Sequence, residues 1–130
     1  MAPPRLLLAS ASPRRRALLD GIGLRAIAQD PRVPEADVEG PAETRVRVLA
    51  ARKAEAVAAA VWSGWVVGAD TLGTLDGMAL AKPTDDADAV RMLRHLSGRT
   101  HEVVTGVAVL RCDNGVVVDR AEAVVSTRVR

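Results

Sequence analysis

Phenylalanine and tyrosine are absent from this chain, and Trp62 and Trp65 are its only aromatic residues. Successive nucleobases would have no row of rings to stack on, which argues against a single-stranded nucleic-acid binder. Cysteine is nearly absent too. Cys112 alone cannot close an internal disulfide, and no His/Cys group has zinc spacing, so a reducing compartment, the cytoplasm, is the simplest expectation. Long hydrophobic runs are missing. The run LLLASA ends at Pro13 and three arginines, which does not fit a signal peptide, and no segment approaches membrane-spanning length. Charge of one sign is not in marked excess. With a net charge of +2, the basic pI of about 9.3 reflects a small surplus of arginine spread along the chain, and it does not by itself imply a polyanion partner.

What is present suits one soluble domain. The 130 residues are 48% hydrophobic and 26% charged, enough for a single core over residues 1–130 that removes about two thirds of the unfolded chain's surface from water. The pattern alternates strand and helix. A strand is expected at Leu6 to Ala9, a helix at Pro13 to Asp20 stopped by Gly21-x-Gly23, and a short strand near Ala26 to Ala28. A proline-broken acidic loop, Gln29 to Pro41, leads to an Ala-rich helix from about Ala42 to Val61 with Val46, Leu49, Lys53, Val57 and Ala60 on one face. Trp65 to Gly68 reads as a buried strand ending at Ala69-Asp70-Thr71, followed by a hairpin turning at Asp76-Gly77. Thr84 is placed to cap a helix over Asp85 to Leu96 with Gly98 as its stop, and Val103 to Leu110 should pair with Val116 to Val125 across Asn114-Gly115. The fold class is therefore α/β, a mixed sheet flanked by helices.

Three features carry chemistry. In SASPRRR, positions 10 to 16, Ser12 is placed to cap a helix and Pro13 suits its first residue. Free amides with Arg14, Arg15 and Arg16 then make either an anion site or a solvated face. The sequence holds sixteen arginines and only two lysines, Lys53 and Lys82, so each lysine marks a place where a compact ammonium can serve a phosphate oxygen better than a planar fork. Lys53 falls on an apolar helix face and Lys82 before a proline. The alternatives are a stem packed on the core with its head in water, and an ordinary turn lysine. Asp70 follows a buried strand at the edge where open α/β sheets hold ligands, and a carboxylate there can bind a metal or accept a proton.

Taken together, SASPRRR, the Lys53 helix, GADT at 68 to 71, LDG at 75 to 77, KP at 82 to 83 and LSGRTHEVVTGV at 96 to 107 resemble the Maf family of nucleoside triphosphate pyrophosphatases, in order and in spacing. The resemblance implies a fold like the inosine triphosphatase group, a nucleotide cleft, a divalent cation (Mg²⁺ or Mn²⁺), and hydrolysis of a nucleoside triphosphate to the monophosphate and pyrophosphate. By position, Asp70 resembles the general base. Ser12, Arg14, Arg15, Lys53 and Lys82 resemble the substrate-binding set, and Thr71 a specificity position whose Ala-Asp-Thr context goes with dTTP and UTP. Glu35 resembles the loop carboxylate that shares the metal with Asp70, although Gln29 to Glu39 departs from the family pattern. Family members continue past Arg130 through a segment reading like DKAGAYGIQG, so the C-terminal part of the domain is expected to be missing. No nucleic acid or membrane partner is implied, and a homodimer is left open. The other readings are a nucleotide or polyphosphate binder without turnover, and a haloacid-dehalogenase-type phosphatase suggested by DTLGTLDG. The second lacks the paired Asp-x-Asp near the chain start that its chemistry needs.

Overall fold

The computed structural model describes residues 5–35, 38–61, 63–75, 78–80 and 84–129. The chain forms β1 (Arg5–Ala9), α1 (Pro13–Gly21), β2 (Ile27–Gln29), α2 (Ala42–Ala58), β3 (Gly64–Leu75), β4 (Met78–Ala79), α3 (Asp86–Leu96), β5 (His101–Asp113) and β6 (Val116–Val129). One mixed sheet of six strands results, in the order β2-β1-β3-β5-β6, with β4 paired to the far end of β3. β1 lies parallel to β2 and to β3, whereas β3, β5 and β6 are antiparallel. The expected α/β class with a mixed sheet is what the chain adopts.

Two glycines govern how α2 sits on this sheet. Gly68 on β3 and Gly106 on β5 point at the helix backbone. A Cβ at Gly68 would stand 2.8 Å from the amide nitrogen of Ala54 and collide with the carbonyl of Ala50. One at Gly106 would stand 2.8 Å from the amide nitrogen of Arg47 and collide with the carbonyl of Val46. Ala50, Ala54 and Ala58 accordingly face the strands and are buried together with Val57, Val66, Ala108, Leu110 and Cys112. Of the expected helix stripe, Val46, Leu49 and Val57 are buried, but Ala60 is exposed and α2 stops at Ala58 rather than Val61. The sheet leaves room only for the small side chains, so the buried stripe is shifted toward them.

Other boundaries also differ. β3 runs unbroken from Gly64 to Leu75, so Asp70 stands within a strand rather than at its end. It is β1 that ends. Its pairing with β3 stops at Ala9 opposite Gly68, and Asp70 lies just past that limit, where antiparallel pairing to β5 carries β3 onward. Asp85, not Thr84, is the N-cap of α3. Its carboxylate accepts from the Asp88 amide at 2.7 Å, while the Thr84 amide donates to Asp88 Oδ2 at 3.0 Å, a reciprocal capping arrangement. Ser12 occupies the N-cap position of α1 but makes no side-chain cap. Its own amide donates to Ser10 Oγ at 3.0 Å. The β5–β6 hairpin turns at Asn114-Gly115, with φ of 52° and 76°, as a two-residue turn requires. The expected turn at Asp76-Gly77 lies outside the described residues.

The two sheet faces are unequally covered. α2 packs on one. On the other, α1 contributes no buried residue and Leu18 is 71% exposed. There Leu8, Val67, Ala69 and Val107 share with Leu18 and Leu19 the lining of an apolar hollow of about 570 Å³.

Candidate active site

The chain crosses β1 in both directions: α1 leads out from β1 to β2 on one flank, and α2 returns from β2 past β1 to β3 on the other. The C-terminal end of β1 is thus a switch point of the kind where α/β sheets open a crevice. Beside it a cavity of about 450 Å³ is lined by Ser12, Arg15, Glu35, Arg45, Leu49, Lys53, Asp70, Thr71, Leu72 and Leu80. A second lobe of about 260 Å³, under Ser10 to Ser12 and Asp30 to Val33, shares Ser12, Arg15, Glu35 and Lys53 with the first.

Lys53 is the hub. Its ammonium lies 2.9 Å from Asp70 Oδ1 and 2.9 Å from Glu35 Oε1, and the side chains of Lys53 and Asp70 are only 13% and 11% exposed. The head is therefore paired and largely out of water, unlike a surface lysine with a snorkelling stem. The close seat of α2 explains the contact. Lys53 adjoins Ala54 and Asp70 lies two residues beyond Gly68, so the glycine that admits the helix also brings the ammonium down to the strand. Glu35 reaches the pair from the acidic loop, which α2 itself holds: Arg52 Nη1 donates to the Pro34 carbonyl at 2.7 Å. The second oxygen of Asp70, Oδ2, is buried and has no hydrogen-bond partner among the described residues. A buried carboxylate oxygen left in that condition is costly unless a proton, a water, a ligand or a cation completes it.

Arg15 straddles the end of β1. Its guanidinium donates to Ser10 Oγ at 3.4 Å through Nη1 and to Thr71 Oγ1 at 3.3 Å through Nη2. Thr71 Oγ1 is in turn 3.1 Å from Thr105 Oγ1, its cross-strand partner on β5. Together Arg15, Arg45 and Lys53 outnumber Glu35 and Asp70, so the cavity lining carries a net charge of +1 with all five ionised. It suits a polyanion.

Of the residues singled out from sequence, the fold brings Ser12, Arg15, Glu35, Lys53, Asp70 and Thr71 to one cavity. Arg14 does not line this cavity but the adjoining hollow on the other sheet face, which shares Ser12, Arg15 and Thr71 with it, and Arg16 lines a separate hollow with Asp20 and Arg25. Lys82 lies outside the described residues. Sequence reasoning missed Arg45, and it missed Leu72 and Leu80, which line the cavity together with Leu49 of the expected helix stripe. The available signal was spacing: residues 45, 49 and 53 stand four apart on one helix, so a stripe accepted at Lys53 extends back to Arg45.

Comparison with known proteins bears on the family and the fold. Residues 5–130 match the family model described as Maf-like protein. The chain is 50% identical over 112 residues to a dTTP/UTP pyrophosphatase of Moorella thermoacetica, covering 85% of this chain and 58% of that protein. It is 49% identical over 111 residues to a dTTP/UTP pyrophosphatase of Geobacter sulfurreducens, covering 84% and 58%. The chain thus spans a little under three fifths of the length of these relatives. Among solved structures, a HAM1 protein from Coxiella burnetii superposes with a TM-score of 0.60 at 16% identity, covering 97% of this chain and 72% of that one. A nucleoside-triphosphatase, dITP/XTP pyrophosphatase, from Mycobacterium abscessus superposes at 0.55 and 18% identity, covering 95% and 71%. At such identities the likeness establishes the fold, which is the one the resemblance implied.

Proposed function

The chain belongs to the Maf-like family over residues 5–130, and from that premise we propose that it forms the catalytic cleft of a nucleoside triphosphate pyrophosphatase, with dTTP and UTP as favoured substrates. The observation that carries this reading is the half-satisfied carboxylate of Asp70. One oxygen is held by Lys53, the other is buried with no hydrogen-bond partner among the described residues, and the residue lines the cavity. Asp70 Oδ1 is kept in place while Oδ2 takes the proton of the attacking water. The water oxygen bonds to phosphorus, the bridging phosphoanhydride bond breaks, and pyrophosphate departs as the monophosphate forms. Such a transfer asks the protein mainly to position groups and offset charge. Lys53 and Arg15 supply fixed cations for the phosphate chain, and Ser12, Arg14 and Lys82 are assigned to substrate binding with them. Thr71 is the specificity position, and the Arg15 contact to its hydroxyl supports its closeness to the phosphate clamp.

A divalent cation, Mg²⁺ or Mn²⁺, fits the donor set. Glu35 and Asp70 converge on one ammonium, and Asp70 Oδ2 has no partner among the described residues. No cluster of three or more His, Cys, Asp or Glu suited to a metal exists among the described residues. An ion held by Glu35 and Asp70 would draw its remaining ligands from phosphate oxygens and water, which is the habit of Mg²⁺ at nucleotide sites. Bound there, it would supply Lewis-acid chemistry, offsetting phosphate charge and lowering the pKa of a water. Among the described residues no helix is long and apolar enough to cross a membrane. Free nucleotides place the proposed activity in the cytoplasm.

The test is incubation of the purified chain with dTTP, UTP and other triphosphates plus Mg²⁺ or Mn²⁺, with resolved products, beside Asp70→Asn. Monophosphate and pyrophosphate in equal amounts, lost in the variant while its melting temperature is kept, are expected. Near-normal turnover by Asp70→Asn would remove Asp70 as the base. No product, with thermal stabilisation by nucleotide, would make the chain a binder only.

A further inference from the structure

Two residues lining the cavity beside β1 each carry a buried side-chain atom with no hydrogen-bond partner among the described residues, and the two atoms are chemically opposite: the acceptor Asp70 Oδ2 and the donor Arg45 Nε. The acceptor is accounted for by the proposed chemistry. The donor is not. The other cations of the cavity are engaged in the free protein, Lys53 by two carboxylates and Arg15 by two hydroxyls. Arg45 pairs with no carboxylate among the described residues, and its Nε hydrogen is shielded from water beside a wall of Leu49, Leu72 and Leu80. A guanidinium in such surroundings gains much from an anion and little from a neutral carbonyl, because only an anion offsets both the unmet donor and the unmatched charge. Its planar fork matches two oxygens of one phosphate.

Position selects which phosphate. Arg45 precedes Lys53 by two helical turns, about 12 Å along α2, with Leu49 between them on the same stripe. Lys53 marks the reacting end of the cavity through Asp70, so a group reaching Arg45 lies away from the attacked phosphorus. We infer that Arg45 binds the terminal phosphates of the substrate and holds the pyrophosphate that leaves, an anchor this chain supplies from the second turn of α2. The inference rests on the pyrophosphatase reading for its substrate, but its anion-binding content is measurable without turnover.

The experiment is calorimetric titration of the full 130-residue chain with inorganic pyrophosphate, and separately with UMP, each with Mg²⁺, for wild type, Arg45→Met and Arg45→Lys. Melting temperatures serve as the fold control. Arg45→Met is expected to weaken pyrophosphate binding at least tenfold and leave UMP binding unchanged. Arg45→Lys, which keeps the charge and loses the fork, should fall between. Equal pyrophosphate affinity in wild type and in a folded Arg45→Met overturns the inference, as does a loss confined to UMP or no pyrophosphate binding by wild type. Arg45-dependent pyrophosphate binding in a chain that hydrolyses no triphosphate would sink the pyrophosphatase reading and keep the anion site. Turnover with Arg45-independent pyrophosphate binding would do the reverse.

Discussion

At the scale of single residues, the site is organised by one lysine shared between two carboxylates. Lys53 is nearly as buried as Asp70, whereas the Glu35 side chain is 46% exposed. Removing the ammonium leaves the Asp70 charge in a poorly solvated place beside a like charge. Lys53→Met should therefore cost about 3 kcal/mol of stability, the lower end of the range for breaking a buried pair because Glu35 can relax into water. It should also lower kcat/KM by about 100-fold or more, the scale of losing a fixed charge-stabilising donor. Denaturant melts and steady-state kinetics on one preparation would check both, and unchanged kcat/KM would take Lys53 out of the phosphate clamp. Cys112 gives a contrasting case. Burial among the sheet-side core pushes its thiol above the ordinary range. The protonated form is favoured in the folded state, so the stability that thiol burial contributes is intact at neutral pH and is lost only as pH climbs past the usual thiol range. Iodoacetamide at pH 8 should leave the folded chain unlabelled and modify Cys112 once denaturant is added, because the thiolate is the reactive species. Rapid labelling of the native chain would contradict the burial.

At the scale of elements, the decisive contact is α2 against β3 and β5. Gly68→Ala would drive a methyl into the Ala50 carbonyl and the Ala54 amide, backbone atoms that cannot swing aside. The expected cost is about 1 to 3 kcal/mol or more, the range for overpacking a core. Activity should fall beyond what the stability loss explains, since a lifted helix carries Lys53 away from Asp70. Kinetics at a temperature where the variant is fully folded would separate the effects, and normal activity there would show that the seat of α2 does not position the lysine. Much of this layer was legible in advance. Asn114-Gly115 between alternating valines announces its hairpin because few residue pairs accept two left-handed conformations. The ends of α2 and β3 were harder. Where α2 stops depends on which alanines the glycines of other strands admit, and β3 outlasts its expected end because β5 continues to pair with it after β1 has finished. Asp85 displaced Thr84 as the cap of α3 for a local reason: either can cap, and the choice fell to the residue whose carboxylate meets the Asp88 amide.

At the scale of the whole molecule, the cavity exists because the chain changes direction around β1. Residues distant in sequence, Arg15, Glu35, Lys53 and Asp70, become neighbours there, and a ligand bridging them ties α1, the acidic loop, α2 and β3 together. Such a ligand binds only the folded chain. Pyrophosphate or a nonhydrolysable triphosphate with Mg²⁺ should thus raise the melting temperature, with about 2.7 kcal/mol of stabilisation at a concentration 100 times Kd. A thermal shift that survives in Asp70→Asn but fades in Lys53→Met would separate binding from chemistry. No shift in the wild type would argue against a polyanion site in this chain.

The sequence by itself determined the class of fold, the run from strand into SASPRRR, the two lysines and Asp70, because turn chemistry, hydrophobic period and residue type are local properties. Tertiary structure alone decided which of the clustered arginines faces the cavity. Arg14 and Arg15 are adjacent, but they diverge around the helix: Arg15 lines both the cleft and the hollow on the other face, and Arg14 lines the hollow without reaching the cleft. It also decided that Lys53 is held between two carboxylates, and that the buried Nε of Arg45 has no partner among the described residues. Those are facts of three-dimensional approach, set by how closely a helix can lie on two glycines, and no periodicity along a single segment contains them.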